Sequence, residues 1–137
     1  MNPCDGPWFD HERLEVYRES IAFVAWLSPL LEGAVRIGEV KDQLDRAASS
    51  APLNIAEGNG KYAPKDRCRY FDTAHGSALE CAAGLDVLVA KAKLTPDQIR
   101  AGKERLQKSP ALDRNLDLSL LPIPLLHHGR NLQVLPL

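Results

Sequence analysis

A chain of 137 residues with 45% hydrophobic and 26% charged residues is long enough for one well-buried core and too short for two. Its formal net charge of -1 excludes a global field that would draw it to nucleic acid or an anionic membrane. The balance is uneven, however. Residues 1–45 carry nine acids and four bases, residues 46–137 nine acids and thirteen, so a basic face can exist without a basic protein.

Aromatics at 6% with frequent Ala and Leu favour an all-α fold. Residues 1–9, with Pro3, Gly6 and Pro7, read as an irregular lead-in, and Asp10 as an N-cap. The first helix is expected from about His11 to about Leu31, with Leu14, Tyr17, Ile21, Val24 or Ala25 and Leu31 inward and Pro29 kinking or ending it. A loop over Gly33 to Gly38 precedes the second helix. Its stripe is Val40, Leu44, Ala47, Ala48, Ala51 and Ile55, it bends at Pro52, and Gly58-Asn59-Gly60 closes it. The Ser49 and Ser50 hydroxyls are placed to serve the carbonyls that Pro52 frees.

Pro64 suits the first turn of a third helix reaching about Leu94, with Phe71, Ala78, Cys81, Leu85, Leu88 and Ala92 on its main face. Thr95-Pro96-Asp97 starts a fourth helix, with Ile99 and Leu106 on its apolar side and Pro110 interrupting it. Four amphipathic helices with short connections over residues 10–115 predict an antiparallel up-down-up-down bundle. Residues 116–137 form a Leu- and Pro-rich tail without a stable period, either a docked extended arm or disordered.

Three cysteines, Cys4, Cys68 and Cys81, with no CxxC spacing and no basic or apolar leader, fit a reduced, cytoplasmic compartment. The longest aliphatic run, Leu118 to Leu126, is far below the ~20 residues of a membrane span. A di-metal bundle requires Glu-x-x-His motifs, and neither Glu57 nor Glu80 has a His three residues on. Ser77 and His75 diverge on a helix, a poor nucleophile and base pair. His127-His128 reads as tail composition. No metal, no cofactor and no enzymatic activity are therefore expected.

Two stretches, RAASSAPLNIAEGNG over 46–60 and FDTAHGSALE over 71–80, resemble the signatures R-A-x-x-S-x-x-x-N-I-A-E-G and A-x-G-S-x-x-E of the four-helix-bundle proteins encoded in intervening sequences of bacterial 23S ribosomal RNA. LEVYRESIAF over 14–23 is similar to that family's first helix, and the resemblance covers about Leu14 to Leu94. It implies a four-helix bundle that assembles into a homopentameric ring without established catalytic activity. The accessory protein of diversity-generating retroelements, a basic ring that binds a reverse transcriptase and nucleic acid, has the same fold. The chain departs from the family at Pro110 and the tail, where a full fourth helix is usual.

The residues read on their own agree with an assembly. Arg46, Ser50, Leu53 and Glu57 follow one another at helical spacing, yet Arg46 and Glu57 lie roughly 16 Å apart along the axis and cannot pair with each other. Glu80 sits among small neighbours, Gly76, Ser77, Ala83 and Gly84, where another helix can approach. Arg46, Ser50, Asn54, Glu57, Ser77 and Glu80 are read as a polar network setting helix register or subunit contacts, in preference to a ligand or catalytic site. Gly58 is read as a C-cap and Gly76 as a close-packing point. Lys61, Lys65, Arg67 and Arg69, interleaved with Tyr62 and Tyr70, form a candidate patch for weak binding of RNA or another nucleic acid.

Overall fold

The computed structural model describes residues 6–109 together with 126–128 and 131–133. Four helices account for most of it: α1 Glu15–Gly33, α2 Gly38–Asn59, α3 Pro64–Ala90 and α4 Pro96–Lys108. A 3-10 turn, Asp10–Arg13, precedes α1, so the N-terminal start is later than the sequence suggests. Asp10 does not cap α1; its carboxylate turns to Asn59 instead. The expected all-α domain has one addition. Leu126–His128 (β1) pairs antiparallel with Asn131–Gln133 (β2), a three-residue ladder within the tail. Pro110 and the remainder of the tail, like the boundary expected at residue 115, lie outside the described residues.

α1 runs through Pro29 to Gly33 instead of stopping there. Its buried face is Val16, Phe23, Leu27 and Leu31; of the expected stripe Leu31 is buried and Leu14, Tyr17 and Val24 pack half-buried against the core, whereas Ile21 and Ala25 are exposed. The segment Ile21 to Leu27 is nearly all apolar, so its periodicity fixes no phase, and packing against the other helices decides. α2 is continuous through Pro52 and buries Leu44, Ala47, Ala48, Ala51 and Ile55, the stripe its spacing predicts. α3 likewise buries Phe71, Ala78, Cys81, Leu85 and Leu88. It stops at Ala90. Ala92 then takes a left-handed φ of 56°, and the Lys93 N–H donates to the Leu88 carbonyl at 2.9 Å, closing the helix.

α4 starts as the sequence predicts. Thr95 Oγ1 accepts from the Gln98 N–H at 3.2 Å while Gln98 Oε1 accepts from the Thr95 N–H at 2.8 Å. The helix ends two residues before Pro110, in keeping with the bias of that imide against helix just upstream.

α2 and α3 form the most extensive pairing; α1 packs on α2, and α4 on both α1 and α3. The main core joins Phe23, Leu27 and Leu31 of α1 with Leu44 and Ala48 of α2, Cys81, Leu85 and Leu88 of α3, and Ile99 and Leu106 of α4. Each fully buried Leu or Phe contributes about 1.5–3 kcal/mol. A second cluster, Val16, Ile55, Phe71 and Ala74, fills the end nearest the α2–α3 loop. Two close approaches set the helix spacing. A Cβ on Gly84 would stand 2.6 Å from a Leu44 methyl, and one on Gly102 would overlap the Trp26 ring.

Candidate functional site

The motif residues fall into three groups along the α2–α3 pair. Contacts across it run in opposite order: Leu44 meets Gly84, Ser50 meets Ser77, and Gly58 meets Tyr70 and Phe71. The middle of the seam is polar. Ser50 Oγ and Ser77 Oγ lie 2.9 Å apart, and Asn54 Nδ2 donates to Ser50 Oγ at 3.0 Å and to the Ser50 carbonyl at 2.8 Å. Ser77 Oγ also lies 3.0 Å from the Thr73 carbonyl oxygen. A hydroxyl has one proton, so the Ser77 proton serves Ser50 Oγ or the Thr73 carbonyl, and the contact between the two hydroxyls bridges the helices. Ser77, buried and saturated in this way, is not poised as a nucleophile for His75.

The second group lies where α2 ends. Arg67 is fully buried, so it does not belong to the exposed basic patch in which the sequence placed it. Its Nη1 donates to the Asn59 carbonyl at 3.0 Å and the Lys61 carbonyl at 3.3 Å, and its guanidinium lies 5.7 Å from the centre of the Phe71 ring. The last four carbonyls of α2 are thus all used. Gly60 N–H serves Ala56 and Glu57, Lys61 N–H serves Gly58, and Arg67 serves Asn59. A cation there also complements the negative end of the helix dipole. Burial lowers the Arg67 pKa, while Cys68 and Asp10 oppose that shift. Asp10 reaches the cluster through Asn59, whose Nδ2 donates to its Oδ2 at 3.0 Å.

Neither glycine has the role expected of it. Gly58 is no C-cap: it is buried inside α2, where a Cβ would stand 2.9 Å from Tyr70 Cβ and 3.1 Å from the Phe71 ring. Gly76 is exposed, with nothing within 4 Å of where its Cβ would be.

The third group is the outer side of the same helix pair. Arg46, Glu57 and Glu80 are all exposed. Arg46 Nε donates to the Asp42 carbonyl at 3.3 Å, and among the described residues neither glutamate has a hydrogen bond or ion pair. Leu53 lies between them at 64% exposure. A shallow open concavity is lined by Asp45, Arg46, Ser49, Ser50, Leu53, Asn54 and Glu57. Of the basic patch, Lys65 and Arg69 are exposed and Lys61 is partly so. Lys61 Nζ and the Arg69 guanidinium lie 5.3 Å and 5.4 Å from the Tyr70 ring centre, so that ring already holds two cations.

A small cleft where the four helices meet is lined by Phe23, Ala48, Ala51, Ile55, Ala78, Cys81 and Leu106 with Glu19, Ser20, Arg105 and Ser109. Burial there pushes the Cys81 thiol up to about 12, and the nearby Glu80 charge adds to the shift. The thiol is therefore an apolar packing group, not a nucleophile. Among the described residues no group of three His, Cys, Asp or Glu side chains stands ready for a metal, and no helix is long and apolar enough to cross a membrane.

Four amphipathic helices, a polar seam inside the central pair and a charged outer face define a helical-bundle protein. The family model described as 23S rRNA-intervening sequence protein matches residues 12–112, and the chain belongs to that family. No curated protein matches it significantly.

Proposed function

We propose that this chain is the subunit of a non-enzymatic, cytoplasmic homo-oligomer, a pentameric ring that acts as a scaffold for other molecules. One observation carries the reading. The outer side of α2 and α3 presents Arg46, Leu53, Glu57 and Glu80, three charges and a large apolar side chain, with no side-chain partner for any of the charges within the described chain. An exposed leucine flanked by charges of both signs fits a contact with another copy that has a small apolar centre and a polar rim. The order of contacts along α2 and α3 and the neighbour cycle α1–α2–α3–α4–α1 support an up-down-up-down arrangement of the subunit, with the α2 axis bent at Pro52. Light scattering coupled to size exclusion at micromolar concentration tests the assembly. Five subunit masses are expected, and a single subunit mass overturns it.

A second reading, an accessory that binds nucleic acid weakly, is favoured by Lys61, Lys65 and Arg69 near the α2–α3 loop, a set that excludes Arg67. Phosphate contacts of this kind predict salt-dependent binding without sequence preference. Fluorescence anisotropy with structured RNA and single-stranded DNA at low and moderate salt tests it. Binding unchanged in a Lys65→Glu, Arg69→Glu variant would remove the patch from consideration.

A further inference from the structure

We infer that the assembly contact is heterologous: the α2 stripe Arg46–Leu53–Glu57 of one copy packs against the α3 stripe Gly76–Glu80–Ala83 of the next. The inference rests on the oligomeric reading above and adds which groups meet. The occupant of the α2–α3 outer face is thus a second copy of this chain, and charge complementarity argues for it. Arg46 has its Nε on the Asp42 carbonyl, leaving the fork of its guanidinium for a carboxylate, while Glu80 on the other stripe is exposed with no ion pair among the described residues.

Shape agrees with charge. Leu53, 64% exposed, projects from α2 as a knob. Gly76 on α3 is exposed, and among the described residues nothing lies within 4 Å of its missing Cβ, so the helix surface there is open to a large side chain of another copy. Leu53 and Gly76 also sit on the same outer side. Helical spacing from the Ser50–Ser77 contact puts Arg46, Leu53 and Glu57 on the outward edge of α2, and Gly76, Glu80 and Ala83 on that of α3. Because the two stripes lie side by side on one face, they can meet those of another copy either reciprocally or head to tail, and the ring proposed above requires the head-to-tail form. A head-to-tail contact repeats from copy to copy and makes a ring where its rotation closes, whereas a reciprocal contact stops at a dimer.

Disulfide cross-linking of the full chain in a Cys4→Ser, Cys68→Ser background tests the register. Leu53→Cys and Gly76→Cys are made singly and together, oxidised, and run without reductant. The expected result is a ladder of covalent multimers from the double variant, a dimer from the mixed single variants, and monomer from each single variant alone. Cross-linking by Leu53→Cys alone, or a double variant that stops at a covalent dimer, would mean that the face pairs with itself and would overturn the inference. An oligomer of unchanged mass with no cross-link in the double variant would also overturn it, while leaving the oligomeric reading intact. A subunit mass for the Cys4→Ser, Cys68→Ser background would defeat that reading instead. Should the cysteine pair itself block assembly, charge reversal decides: Arg46→Glu and Glu80→Arg are each expected to weaken assembly at least tenfold, and the double reversal to restore it to within a few-fold. Failure of the double reversal to restore assembly sinks the pairing.

Discussion

The Arg67 guanidinium donates to the Asn59 carbonyl at 3.0 Å, so the first turn of α3 closes the last open carbonyl of α2. This contact makes a buried cation part of a helix end. Asp10, held by Asn59 at 3.0 Å, brings the N-terminal turn into the same cluster and supplies the opposing charge.

Removing that cation leaves the Asn59 and Lys61 carbonyls without their donor and Asp10 without its counter-charge. Arg67→Met is therefore expected to cost about 3–5 kcal/mol, the range for breaking one side of a buried charged network. Arg67→Lys is expected to recover only part of this, because the shorter, more strongly hydrated ammonium lacks the planar guanidinium that lies over the Phe71 ring. Urea denaturation of both variants measures this. An unchanged midpoint for Arg67→Met would show that the cluster contributes nothing.

Parts of the structure were legible because one local signal dominated. The Thr95-Pro96-Asp97 start and the Leu44-to-Ile55 stripe each rest on short-range chemistry, a cap or a clean period, and packing left them in place. Arg67 was not legible, since its neighbours Lys65 and Arg69 are basic and exposed, and a run of bases reads as a surface patch. Only the turn Asn59-Gly60-Lys61 folding back over position 67 distinguishes it. The glycines failed for a related reason: whether a missing Cβ is a cap, a contact or an opening depends on what the other helix brings near it.

Gly58 provides a direct check on that point. A methyl there meets Tyr70 Cβ at 2.9 Å and the Phe71 ring at 3.1 Å, neither of which can move without shifting α3. Gly58→Ala is expected to destabilise by about 1–3 kcal/mol despite the better helix propensity of alanine. Gly33→Ala, where a Cβ finds nothing within 4 Å, serves as the control and is expected to be neutral or slightly stabilising. Equal effects of the two in thermal melts would show that the α2–α3 approach is looser than the geometry indicates.

Cys81 gives the fold an alkaline limit. Its folded pKa is pushed up to about 12 from a value of 9.0, so the folded state resists losing this proton. The contribution is fully present below pH ~9 and is lost as pH rises toward ~12, at roughly 1.4 kcal/mol per pH unit, since the unfolded thiol ionises first. Other groups titrate in the same range, which makes the comparison with Cys81→Ala the informative one. The parent is expected to lose stability more steeply than the variant above pH 9. Parallel curves would mean that the thiol ionises as readily folded as unfolded.

The last prediction separates what Glu57 and Glu80 do for the subunit from what they do for the assembly. Both are exposed, so neither faces the desolvation penalty of a buried unpaired charge, and deleting either charge costs the isolated subunit little. If a neighbouring copy supplies their partners, the cost appears on association instead, where truncating one side of a desolvated pair typically costs 2–5 kcal/mol. Glu80→Gln, which removes the charge opposite Arg46 while keeping its shape, is expected to unfold in urea at the parent midpoint at submicromolar concentration. Its oligomer is expected to dissociate on dilution at concentrations where the parent holds together. Glu57→Gln should behave the same way but more weakly, because no opposite charge is assigned to it on the neighbouring stripe. Sedimentation over a dilution series reads the association, and the urea midpoint reads the fold. Loss of subunit stability with assembly unchanged would reverse the assignment and place both glutamates in the service of the subunit itself.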